Sequence, residues 1–84
     1  SVERQCEHLH LSPAYFSTLF KREMGMSFTA YVTVKRMEAA AEALRSSEDK
    51  TYLIARRCGY EDANYFSYVF KKHFGVTPTK FRAG

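Results

Sequence analysis

Two cysteines, Cys6 and Cys58, are too few for a disulfide framework in a chain of 84 residues, and both sit amid helical patterning, where a thiol packs as a small hydrophobe. Reduced thiols of this kind fit a cytoplasmic protein. No apolar run approaches the roughly 20 residues that span a bilayer, and no signal-peptide pattern opens the chain. Glycine-rich phosphate loops are lacking, as are paired catalytic carboxylates and any nucleophile with an evident base beside it. Neither enzyme chemistry nor a cofactor is expected. Cys6, His8 and His10 crowd together, but His8 projects off the helix face shared by Cys6 and His10 and no second ligand cluster follows, so no metal site is expected. The sequence also lacks low-complexity segments and interdomain linkers.

What remains is enough apolar material for one small core: 45% of residues are hydrophobic and 15% aromatic. The net charge of +4 is a mild excess that favours polyanionic partners without singling one out.

A comparison of the chain with itself is more informative. A shift of 50 residues superimposes Tyr15, Phe16, Ser17, Phe20, Lys21 and Gly25 on Tyr65, Phe66, Ser67, Phe70, Lys71 and Gly75, six identities within eleven positions. Arg22 then faces Lys72, Ser27 faces Thr77 and Tyr31 faces Phe81. Upstream the best shift becomes 49, pairing Cys6 with Ala55 and Leu9 with Cys58, so the second copy carries one extra residue in its turn, near residues 61–63.

Each copy reads as helix, tight turn, longer helix. In the first, Val2, Cys6 and Leu9 have helical spacing; Ser12 and Pro13 then supply a capping hydroxyl and the proline that a helix accepts at its first position. The new helix runs to about Met24, turns Phe16, Leu19 and Phe20 inward, and stops at Gly25. In the second copy Leu53, Ile54 and Cys58 line one face, Gly59 opens the turn, and Asp62 caps a helix that buries Phe66, Val69 and Phe70 before Gly75. A helix of roughly 20 residues joins them, starting at Ser27 and carrying Tyr31, Val34, Met37, Glu38, Ala41 and Leu44 at helical spacing. The aromatic pairs Tyr15/Phe16 and Tyr65/Phe66 are read as core rather than as a platform for unpaired bases. The expected fold is all-α: residues 1–26 form a first helix-turn-helix, 27–47 the linker helix, and 48–84 a second helix-turn-helix with a short last helix.

A helix that reads DNA keeps one stripe on its core and turns small or polar residues to the base edges. Ala14, Ser17, Thr18 and Lys21 share the face opposite Phe16, Leu19 and Phe20, and Asn64, Ser67, Tyr68 and Lys71 hold the same four places in the second copy. Either stripe alone is also what a solvated helix face looks like; its repetition favours a reading face. Asn64 can pair with adenine through two hydrogen bonds, while Ser17, Thr18 and Ser67 can bond several bases. Tyr68 has three options: a sugar, a thymine methyl, or folding back onto the core. Lys21, Arg22, Lys71 and Lys72 are placed to neutralise phosphates, with Lys35, Arg36, Arg56, Arg57, Lys80 and Arg82 as weaker candidates.

The run from Gly59 through Asp62, Ala63, Asn64, Tyr65, Phe66 and Ser67 to Phe70, Lys71, Lys72, His73, Phe74, Gly75, Val76, Thr77 and Pro78, closing on Phe81 and Arg82, resembles the signature of the AraC/XylS family of bacterial transcription regulators. The stretch from Leu11 to Gly25 is similar to the family's first unit, and the likeness covers nearly the whole chain. It implies seven helices, with base contacts from the third and sixth, here Ala14, Ser17 and Thr18, and Ala63, Asn64, Ser67 and Tyr68. It also implies a double-stranded DNA partner with a bipartite operator, contacts to RNA polymerase subunits, and a sensor or receiver domain in a longer protein. The chain opens at a helix start, Ser1 to Glu3, where the family has an earlier helix, so a longer regulator is expected. Small Ala14, Ser17 and Thr18 leave two roles open to the first reader, base contact or anchorage. A helical module that docks on the transcription machinery through the same stripes is the competing reading, and a sequence-blind RNA or single-strand binder is another.

Overall fold

The computed structural model describes residues 12–84, and every regular element among them is helical. The helices are α1 (Pro13–Met24), α2 (Phe28–Ser46), α3 (Thr51–Arg57), α4 (Ala63–Phe74) and α5 (Pro78–Ala83). The helix expected over Val2, Cys6 and Leu9 and the Cys6, His8 and His10 group lie outside the described residues. Contacts divide the chain into two compact units, Ser1–Thr33 and Val34–Gly84.

Helix starts follow local chemistry. The Ser12 hydroxyl accepts the backbone N–H of Tyr15 at 3.1 Å and that of Ser27 accepts Ala30 at 3.1 Å. Asp62 does the same for α4 and Thr77 for α5, where Thr77 Oγ1 accepts the Lys80 N–H at 3.2 Å. These caps satisfy amide donors that have no partner inside the helix. At the other ends, Gly25 (φ 78°) and Gly75 (φ 82°) turn left-handed and donate to the Lys21 and Lys71 carbonyls, so the stops repeat at the predicted interval.

In the first unit the described core is a cluster of half-buried aromatics. Phe20 meets Phe28 at 5.2 Å and Tyr31 at 5.4 Å in edge-on contacts, and Phe16 lies 5.9 Å from Phe20. No residue of α1 is fully buried. The second unit is denser. Met37, Ala40, Ala41 and Leu44 from α2, Ile54 and Ala55 from α3, Tyr60, and Phe66 and Phe70 from α4 form a continuous buried cluster. Alanine at three of these places lets backbones approach closely, and the aromatic rings fill the remaining volume. The duplication visible in sequence is also a duplication of geometry: Phe66 lies 5.9 Å from Phe70, and Phe70 meets Phe81 edge-on at 5.3 Å, matching Phe16–Phe20 and Phe20–Tyr31.

Candidate nucleic-acid interface

The buried faces of α1 and α4 determine what the opposite faces present. On α4, with Phe66 and Phe70 inward, Asn64, Tyr68 and Lys71 stand exposed, while Ala63 and Ser67 are half-buried along the edge nearer the core. On α1, with Phe16, Leu19 and Phe20 half-buried, Ala14, Ser17, Thr18 and Lys21 are all exposed. Asp62 anchors the first turn of α4, since its Oδ1 accepts the N–H of Asn64 at 2.8 Å and that of Tyr65 at 3.3 Å. The side chain of Asn64 therefore leaves a fixed piece of backbone.

Basic residues gather at the far ends of the same helices. Lys21 and Arg22 occupy the last turn of α1, and Lys71, Lys72 and His73 that of α4, all exposed. Such positions also complement the negative end of the helix dipole, so the charge supports the helix whether or not an anion is bound. Arg22 lies 3.9 Å from Glu23 with both side chains in water, a contact that hardly restrains it. Several weaker candidates are engaged elsewhere. Arg57 bonds Asp49 at 2.6 Å, Arg36 lies over the Tyr60 ring at 5.4 Å, and Arg82 donates to the carbonyls of Leu44 and Ser47.

The tyrosines separate from their phenylalanine neighbours. Phe66 is fully buried, but Tyr65 is 58% exposed, and Tyr15 is 57% exposed beside half-buried Phe16. The expectation that each pair packs as core thus holds for the phenylalanines and fails for the tyrosines, because neighbours in a helix point about 100° apart. Tyr68 does not fold back: it is 61% exposed and its ring stacks on Tyr65 at 6.3 Å and 28°. Tyr65 in turn leans on Tyr60 at 6.0 Å, and Tyr60 is itself buried. Sequence reasoning missed Tyr65, although its place one residue off the apolar stripe was the available signal.

Cys58, half-buried against the core, has its thiol pushed above the ordinary range by burial, with the nearby Arg36 charge opposing the shift. It is therefore neutral at physiological pH and a poor nucleophile. No helix among the described residues is long and apolar enough to cross a membrane.

The helix-turn-helix domain family matches residues 5–84. The regulatory protein PocR of Salmonella typhimurium is 41% identical over 81 residues, a match that takes in 96% of this chain and 27% of PocR. The chain belongs to the AraC family. Two solved AraC-type structures share its fold at substantial identity. The C-terminal domain of AraT, a response regulator from Geobacillus stearothermophilus, is 44% identical with a TM-score of 0.94, the match covering 99% of this chain and 69% of that one. The C-terminal domain of the two-component response regulator yesN from Fusobacterium nucleatum is 41% identical with a TM-score of 0.92, covering 98% of this chain and 80% of that one. The all-helical architecture of two helix-turn-helix units and a long helix is thus an AraC-family architecture. The chain spans about a quarter of the length of the curated AraC-family relatives it matches, 27% in the case of PocR.

Proposed function

We propose that this chain binds double-stranded DNA sequence-specifically in the regulation of transcription, with α1 and α4 entering adjacent major grooves of a bipartite operator. The observation that carries the proposal is the stripe that recurs 50 residues on, exposed at Ala14, Ser17, Thr18 and Lys21 of α1 and at Asn64, Tyr68 and Lys71 of α4, each time backed by the same aromatic contact geometry. Ala14, Ser17 and Thr18 meet bases in one groove, and Ala63, Asn64, Ser67 and Tyr68 in the other; Lys21, Arg22, Lys71 and Lys72 neutralise phosphates. Residues 1–26 and 48–84 act as the two reading units, with 27–47 as the helix between them. In the whole protein this reader serves a sensor or receiver domain in the cytoplasm, and bound DNA presents it to RNA polymerase subunits.

Selection of bound duplexes from a random pool at near-physiological salt tests the reading. Two short enriched motifs about one helical turn apart are expected. With four phosphate contacts, the logarithm of affinity should fall against the logarithm of salt with a slope of about −3.6. A single motif would reduce the first unit to an anchor, and no enrichment would overturn the proposal in favour of a protein-docking module.

A further inference from the structure

Tyr65 and Tyr68 form a stacked pair on the outside of α4 that contributes nothing to the buried core. Large apolar rings held in water call for an explanation, and here the rings are braced. Tyr60, 8% exposed, packs on Phe66 at 5.6 Å and supports Tyr65, which supports Tyr68, so a ladder of rings runs from the core to the surface. Stacking restricts the rotamers of an exposed side chain before any ligand arrives, and this lowers the entropy cost of contact.

We propose that Tyr68, held in place by Tyr65, reads the C5-methyl group of a thymine, so that with Asn64 the second unit selects a step containing A·T pairs. The inference rests on the proposed DNA reading by α4 and deepens it. At about 100° per residue, Asn64 and Tyr68 stand about 40° apart on α4, with Lys71 beside them and Tyr65 at the flank, about 60° beyond Tyr68. Among the base edges in the major groove, only thymine offers an apolar group, while adenine offers the acceptor and donor that an amide matches. A ring face and an amide side by side are therefore complementary to thymine and adenine in neighbouring positions. The first unit provides an internal contrast: Tyr15 is exposed there too, but Thr18 stands in the place of Tyr68.

The test uses the 84-residue chain and the duplex it selects, with each thymine of the second unit's motif replaced in turn by deoxyuridine, which lacks only the methyl. At one position the wild-type chain should bind the uracil duplex about fourfold more weakly, the effect of one buried methyl group. Tyr68→Thr should bring the thymine-to-uracil ratio to about one, and Tyr68→Phe should preserve it, because the ring makes the contact. Tyr65→Ala should shrink the ratio and Tyr65→Phe restore it, which a merely structural loss would not do, since each ratio is taken within one protein. Indifference of the wild-type chain to every methyl, or an unchanged ratio in Tyr68→Thr, overturns this inference alone. Failure to select any duplex overturns the proposed function and this inference with it.

Discussion

Arg82 Nε donates to the carbonyl oxygen of Leu44 at 3.1 Å, and Nη2 of the same guanidinium donates to that of Ser47 at 3.1 Å. Both oxygens lie at the C-terminal end of α2, where carbonyls have no partner within the helix and the macrodipole is negative. Loss of these charge-assisted bonds in Arg82→Ala should cost about 2 kcal/mol and lower the melting temperature by roughly 10 °C. Arg82→Lys should recover only part of that, because an ammonium cannot span two carbonyls with a planar fork. Thermal melts followed by circular dichroism check this. An unchanged melt with a weaker salt dependence of DNA binding would instead make Arg82 a phosphate contact.

Gly59 differs from the helix-ending Gly75 although both have positive φ. A Cβ on Gly75 meets nothing within 4 Å, so Gly75→Ala adds only the left-handed strain, about 1 kcal/mol. A Cβ on Gly59 (φ 97°) would lie 3.1 Å from the carbon of the Arg36 guanidinium that covers the Tyr60 ring, so that group has to give by a few tenths of an ångström. Gly59→Ala should therefore be the more destabilising of the two in urea unfolding, and combining it with Arg36→Ala should remove the difference.

The two aromatic clusters should fail at different thresholds. Phe70 is fully buried and touches Phe66, Phe74 and Phe81, so Phe70→Ala should cost about 3–5 kcal/mol, a large fraction of what a small domain has. Phe20, half-buried, should cost less when cut to alanine. Amide hydrogen exchange of the intact chain should show the same order, with α4 protected longer than α1.

Asn64 and Lys71 should separate specificity from affinity. Asn64→Ala should weaken the selected duplex by about 1–3 kcal/mol and relax preference at one base pair, while Lys71→Ala should weaken selected and random duplexes alike and reduce the salt slope by about 1. Binding measured at several salt concentrations distinguishes them. Equal losses on both duplexes from Asn64→Ala would remove it from base readout.

Much of this architecture is legible in sequence because it depends on short-range chemistry. Ser12 before Pro13, Asp62 before Ala63 and the glycines at 25 and 75 mark helix ends through hydrogen bonds and φ values that involve only their neighbours. Phe66 and Phe70 declare themselves by spacing. Ala40 and Ala55 do not, because an alanine is buried or exposed according to what approaches it from elsewhere in the chain. Arg82 reads as one more surface cation until α5 brings it to the end of α2, 38 residues upstream. The candidate interface divides similarly: Asn64 and Lys71 are exposed as their positions require, whereas Ser67 is half-buried and Tyr65 gains its interest only from the ring stacked on it.

The exposed stripe of α1 has an evolutionary consequence. Ala14, Ser17 and Thr18 face solvent while the opposite side of the helix carries the packing, and changes at such surface positions usually move stability by no more than about 0.5 kcal/mol. Descendants of this chain can therefore exchange all three side chains, and with them any preference that α1 has for a sequence, while inheriting the scaffold unchanged. On the second unit Asn64 and Lys71 have the same freedom, whereas Tyr65 and Tyr68 are tied through stacked rings to buried Tyr60, so a change at Tyr65 also reaches its neighbours.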